Sequence, residues 1–142
     1  MRYHTAAHAV ASVINAKTGA LITGNNLEPE KGRIDFSLEE MDRDLIVDCV
    51  AETNKKLAEN REVKIYYLPR EEAFKIPGIV KLAKVLPPSV QNLRIVEIDG
   101  LDIQADGGCH VKNSSEIGKL EIQKLENKGK DNRRLYFTLQ GP

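Results

Sequence analysis

The chain is 142 residues long, enough for one domain with a substantial core, and its 41% apolar and 30% charged content is ordinary for a globular protein. Twenty-one basic residues balance 21 acidic ones, so nothing in the net charge draws it to nucleic acid, and RNA contact would need a local basic patch. No apolar run approaches the roughly 20 residues of a membrane span, and His4 and His8 interrupt any signal-peptide layout. Two cysteines do not make a disulfide framework, so the expectation is a reduced, cytoplasmic, single-domain protein over 1–142.

Residues 2–18 read as a helix, rich in alanine, with Ala7, Val10, Val13 and Ile14 as its apolar stripe and Gly19 as its stop. A short strand over 20–23 follows, then a turn at Gly24-Asn25-Asn26. The loop 28–32 leads to Arg33-Ile34-Asp35-Phe36, which alternates as a half-buried strand does. Ser37-Leu38-Glu39-Glu40 fits a capping box opening a helix to about Asn60. Leu38, Met41, Leu45, Cys49, Thr53 and Leu57 share one face of that helix, widened by Ile46 and Val50, which makes Cys49 a packing residue.

Val63 to Leu68 reads as a strand, and Pro69 to Ala73 as a helical turn with proline at its first position. Pro77-Gly78 breaks that turn, 79–86 reads as a short apolar helix or an irregular segment, and Pro87-Pro88 stops it. Strands are expected from Leu93 to Ile98, with a change of face near Val96 and Ile98, and over 101–105 after the turn Asp99-Gly100. A strand carrying Leu120, Ile122 and Leu125, a basic hairpin loop over 127–134, and a last strand from Leu135 to Leu139 complete the chain. Hairpin strands with two or three helices make an α+β fold, a mostly antiparallel sheet with helices packed on one face.

The only three histidines fall in two places, His4-x-x-x-His8 and Asp106-Gly107-Gly108-Cys109-His110. The first spacing puts two imidazoles on one helix face, as a tetrahedral metal requires of two ligands on one element. Asp106 and His110 repeat the four-residue step, with Cys109 as a competing ligand. Gly107-Gly108 permits close backbone approach to a ligand.

These residues carry a resemblance. Tyr3-His4-Thr5-Ala6-Ala7-His8, the strand Arg33-Ile34-Asp35-Phe36-Ser37, and the run from Asp106 through His110 to Gly118 resemble, in order and spacing, the editing domain of alanyl-tRNA synthetases. Threonyl-tRNA synthetases share that domain, and the free-standing form is the AlaX family, of which the chain resembles the short type. The resemblance implies a deacylase of mischarged tRNA(Ala), Ser-tRNA(Ala) foremost and Gly-tRNA(Ala) in some members. It implies a zinc ion on His4, His8 and His110. The family's cysteine position falls on Asp106, so the fourth ligand stays open among Asp106, Cys109 and a water. Family position also points to Thr23 and Asn25 as substrate-binding, with Gly107, Gly108 and Cys109 beside them.

Discrimination of serine would come from a polar group matched to its hydroxyl. His110, as a metal ligand, is a poor general base. Lys112, Lys119, Lys124, Lys128, Lys130, Arg133 and Arg134 cluster in the C-terminal third, while acidic residues gather over 39–52. Lys112, Lys128, Lys130, Arg133 and Arg134 are the candidates for facing a tRNA acceptor end. Two other readings stand beside this one: an accessory tRNA-binding module that keeps the fold, and a zinc hydrolase of another class. A metalloprotease is disfavoured because Thr5 stands where His-Glu-x-x-His needs its glutamate.

Overall fold

A computed structural model describes residues 2–38, 43–76, 91–105, 109–127 and 132–140. The expectations for Pro77-Gly78, 79–86 and Pro87-Pro88, and those for Asp106, Gly107, Gly108, Lys128 and Lys130, lie outside these residues.

The first helix, α1 (Arg2–Thr18), is buried on nearly every side over its middle ten residues. Alanines make this feasible, since a small side chain lets neighbouring elements approach from several directions. It stops where expected: Gly19 takes a φ of 78°, and its N–H reaches the carbonyl of Asn15 at 2.8 Å. The helix packs on β1 (Ile22–Leu27) and β2 (Gly32–Ser37), on the second helix α2 (Arg43–Leu57), and on β5 (Asp102–Ala105).

Two antiparallel sheets flank it where one was expected. One runs in the order β1-β2-β7-β6, with β6 Lys119–Asn127 and β7 Asn132–Gln140. The other runs β3-β4-β5, with β3 Val63–Pro69 and β4 Asn92–Ile98. A four-residue helix, α3 (Arg70–Ala73), follows β3, with Pro69 as its N-cap. The α+β class holds. The main core gathers Val10, Ile14, Phe36, Ile46, Ile98 and Phe137, all fully buried. A smaller cluster of Ala73, Leu93 and Ile95 lies on the other face of the second sheet. The central strand β4 is therefore covered on both sides, which explains why it shows buried apolar residues of both parities.

Three local expectations change. Gly24, Asn25 and Asn26 are strand, paired with Asp35, Ile34 and Arg33 across a bulge between Ile22 and Gly24. The turn comes later, closed by the Glu28 N–H on the Lys31 carbonyl at 2.8 Å. Ser37 ends β2, and its hydroxyl accepts from the Leu21 N–H at 3.1 Å; the rest of the expected capping box lies outside the described residues. The helix it was to open ends at Leu57, with Asn60 in the left-handed region at φ 55°. Arg133 and Arg134, expected in a loop, belong to β7. The Arg134 guanidinium donates to both oxygens of Asp35 across the β2–β7 pair, at 2.7 and 3.1 Å. These bonds, with the Tyr136 hydroxyl beside them, raise the arginine's pKa further. Cys49 is fully buried among the core residues, as its helix face requires; burial raises its pKa.

The sheet's closest fit is at Gly32, whose Cα faces that of Phe137 across the β2–β7 pair. A Cβ there would stand 2.5 Å from the Phe137 ring, which is fully buried and has no room to retreat. Gly32→Ala is expected to lower stability by about 1–3 kcal/mol, the usual cost of overpacking, measured as a reduced midpoint in urea denaturation with an unchanged slope.

Candidate metal centre

The first turn of α1 is tied down residue by residue. The Arg2 guanidinium donates to the Ile117 carbonyl at 2.8 Å. The Tyr3 hydroxyl donates to the Glu30 carbonyl at 2.7 Å and accepts from the Leu139 N–H at 3.0 Å. The Thr5 hydroxyl accepts from the Val111 N–H at 3.1 Å and lies 3.0 Å from Nδ1 of His110. These anchors bring the start of the helix against the segment that carries the third histidine.

His4, His8 and His110 consequently meet. Their potential ligand atoms all lie within 4.8 Å of one another. The His4 ring stacks on His110 at 4.4 Å between centroids, and His8 stands edge-on to both, at 4.8 and 4.7 Å. Two nitrogens on a tetrahedral zinc with bonds of about 2.0–2.1 Å are about 3.4 Å apart. A modest closing of the three rings therefore satisfies such an ion, and nitrogen donors from three histidines are a donor set that zinc accepts. Among the described residues this group consists of the three histidines. Cys109 is outside it and exposed, while Asp106, the other candidate for a fourth ligand, lies outside the described residues.

The rings are oriented from behind. Nδ1 of His110 is engaged by Thr5. Nδ1 of His8 lies 2.7 Å from Nε2 of Gln104, and that nitrogen also donates to Oδ2 of Asp102 at 2.7 Å. The same carboxylate oxygen is 3.7 Å from Nδ1 of His8. Both Nδ1 atoms are thus turned to partners on neighbouring elements. Thr5, Asp102 and Gln104 are functional candidates that the sequence reading passed over. Their signal was present. Thr5 sits between the two histidines of the helical pair, and Asp102 and Gln104 form the polar face of β5, four and two positions before Asp106.

Two cavities meet at His4. A broad one of about 870 Å³ is lined by Arg2, His4, Asn25, Glu28, Cys109 and Glu116 among others. A small one of about 80 Å³ lies between α1 and the first sheet, walled by Ala7, Ala11, Ile22 and Ile34, with His4, His8, Asn25 and Gln104 at its polar side. His4, Asn25 and Leu27 border both. Of the other expected site residues, Asn25 and Cys109 are thus beside the histidines. Thr23 is exposed and donates to the Asn132 side chain at 2.8 Å, away from both cavities as lined. Lys112 is exposed, Arg133 is buried, and Arg134 is held by Asp35.

Residues 93–136 match the family described as the threonyl and alanyl tRNA synthetase second additional domain. The alanyl-tRNA editing protein AlaX-M of Saccharolobus solfataricus is 51% identical over 140 residues, covering 99% of this chain and 58% of that protein. The protein of the same name in Methanosarcina acetivorans is 48% identical over 140 residues, covering 98% of this chain and 57% of its own length. The chain is related to the alanyl-tRNA editing proteins. An alanine–tRNA ligase of Methanococcus vannielii is 34% identical over 142 residues, covering 97% of this chain and 16% of the ligase. The relation thus extends to the editing region of the synthetase, as the resemblance implied. The editing proteins compared carry the AlaX-M name, where the short type was expected, and the chain spans a little over half their length.

Thr5 offers a direct test of how the site is assembled. Thr5→Val keeps the volume but removes the acceptor for the Val111 N–H, leaving a buried donor unpaired. The variant is expected to lose about 1–3 kcal/mol of stability, with Thr5→Ser close to the parent, both measured by chemical denaturation.

Proposed function

We propose that the chain is a zinc-dependent hydrolase that deacylates mischarged tRNA(Ala), with Ser-tRNA(Ala) as the preferred substrate and Gly-tRNA(Ala) as a second. The observation that carries this reading is the convergence of three imidazoles, of which His4 borders both a broad cavity and a very small one. The names of the editing relatives support the tRNA and the class of reaction.

On this reading the broad cavity takes the 3′-terminal nucleotide, and the small cavity takes the aminoacyl group. A space of about 80 Å³ walled by two alanines and two isoleucines admits a side chain the size of serine's or glycine's and excludes branched and aromatic ones. Asn25 stands at the border of the two, where its amide offers both donors and an acceptor to a serine hydroxyl or to the ribose. An apolar wall alone separates a hydroxyl from a hydrogen poorly, so selectivity against alanine falls to such a polar group.

His4, His8 and His110 would hold the zinc, with Asp106, Cys109 or water completing the set. A zinc ion there supplies positive charge that polarises the ester carbonyl and orients the terminal ribose. The chain's own residues do the rest: Thr5 and Gln104 hold two of the imidazoles in place, the apolar wall keeps bulk water from the acyl side chain, and Asn25 sets the substrate's register. An aminoacyl ester is already an activated acyl group, so positioning and charge stabilisation suffice. Contact with the tRNA backbone is assigned to the exposed Lys112 and to Lys128 and Lys130. Arg133 and Arg134 are weaker candidates, given the burial of one and the Asp35 pairing of the other.

The test is a deacylation assay with Ser-, Gly- and Ala-charged tRNA(Ala), with and without a chelator. Turnover of Ser-tRNA(Ala), loss with the chelator and sparing of Ala-tRNA(Ala) are expected. His8→Ala and His110→Ala should each reduce the rate by at least about 100-fold, since each removes part of a charge stabilisation amounting to several kcal/mol. Salt-sensitive tRNA binding without any turnover would instead establish an accessory module.

A further inference from the structure

The two sheets end in four edge strands, β1, β6, β3 and β5. An edge turns backbone N–H and C=O groups outward, and folded proteins blunt it with a bulge, a very short strand or a covering group. Three of these edges are blunted. β1 has its bulge between Ile22 and Gly24, and β6 has one between Ile122 and Lys124. The Asn54 amide also covers β6, accepting from the Leu120 N–H at 2.8 Å and donating to the Leu120 carbonyl at 3.0 Å. β5 is four residues long. β3 differs: its seven residues pair with β4 without a register shift, and it carries Ile65 and Tyr67, 46% and 67% exposed.

The direction of each backbone group on β3 follows from its first residues. The Val63 N–H donates to the Lys112 carbonyl at 2.9 Å, and the Arg61 carbonyl accepts from the Ser114 N–H at 2.8 Å, both on the side away from β4. The Glu62 carbonyl points the other way, accepting from the Asp99 N–H at 3.0 Å. These directions alternate along an antiparallel strand, so Ile65 and Tyr67 each turn an N–H and a C=O to the outer edge. The segment around Lys112 occupies that edge as far as Val63, and Pro69 has no N–H. Among the described residues, the open part of the ladder is therefore Ile65 and Tyr67.

We propose that this edge pairs with the same edge of a second copy of the chain, antiparallel about a two-fold axis at Tyr66. The register follows from the open groups. Ile65 against Ile65 would set Tyr67 against Val63, whose N–H is already engaged, and Tyr67 against Tyr67 would set Ile65 against Pro69. Ile65 opposite Tyr67 of the second copy uses every open group on both chains. It also makes two cross-strand pairs of an aromatic and a β-branched side chain, each covering the other. Carried one residue past the strand ends, the same register sets the exposed Glu62 level with Arg70 of the second copy, and Arg70 with its Glu62, so opposite charges meet at both ends. The two backbones also diverge where they would otherwise collide. From Lys112 the chain runs back to Val111 in the main core, on the α1 face of the sheet, while Pro69 leads into α3, whose Ala73 packs on the opposite face. A two-fold contact of this kind closes on itself and leaves neither copy of β3 with an open edge.

The experiment is sedimentation velocity of the full chain over a concentration series. The parent is expected to pass from monomer to dimer as concentration rises. Ile65→Lys and Tyr67→Lys should stay monomeric with circular dichroism unchanged, since both side chains are exposed, while Val47→Lys, at an exposed apolar position on α2, should dimerise as the parent does. Disulfide trapping in a Cys109→Ser background reads the register. Paired Cα atoms about 5.5 Å apart suit a disulfide, so a mixture of Ile65→Cys and Tyr67→Cys chains should cross-link well beyond either variant alone. A dimer that survives both lysine substitutions, or equal cross-linking in the single variants, overturns the inference. A parent that stays monomeric overturns it too, and weaker tRNA binding by Tyr67→Ala would then assign the face to RNA.

Discussion

The site depends on the Thr5 hydroxyl. It joins the first turn of α1 to the segment around His110, more than a hundred positions away, through one backbone N–H and one imidazole nitrogen. Helix geometry alone brings His4 and His8 together, because a four-residue step returns to the same face. Nothing local brings the third histidine. It arrives because Thr5 holds Val111 and His110 while Arg2 and Tyr3 fasten the same helical turn to Ile117 and to the last strand. A hydroxyl placed between two potential ligands thus does a task that the glutamate of a zinc protease motif could not do in the same way. It offers a small, neutral group that can accept from the backbone and still face a ring nitrogen.

Burial of α1 makes that arrangement rigid. A helix that meets two sheets and a second helix has little freedom to shift, and its alanines allow the close approach from each side. The same alanines shape the small cavity: Ala7 and Ala11 form its floor one turn apart, in line with the His4 and His8 pair. The pattern that makes the helix a good core element therefore also sets the size of the space beside the histidines.

Much of this was legible in the sequence. The limits of α1, its glycine stop and the packing role of Cys49 follow from period and capping, which are local; the meeting of the three histidines is expected from their ligand chemistry and the family resemblance. What the sequence did not reveal depends on partners distant in the chain. In β5, Ile103 and Ala105 alternate with Asp102 and Gln104, and the sequence expectation is of a strand with no face assigned. β5 is covered on both faces: the apolar pair packs on the minor cluster while the polar pair turns inward to α1 and His8. Alternation shows that the two faces of a strand differ, but not which of them meets the site. At Gly24-Asn25-Asn26, turn-forming residues were overridden by pairing with β2 across a bulge, and this carried Asn25 to the cavities. Arg134 looked like a loop cation because its partner, Asp35, lies 99 positions away, on a strand whose neighbour cannot be read from composition.

The central claim is that three imidazoles from two distant segments bind one zinc ion. X-ray absorption at the zinc edge, on the full chain loaded with one equivalent of zinc, tests it most directly. The account predicts a stoichiometric site with nitrogen or oxygen neighbours at about 2.0–2.1 Å and the outer-shell scattering of three imidazole rings, one ring being lost in His110→Ala. Zinc that fails to bind stoichiometrically, or that binds in a shell without imidazole scattering, would contradict it.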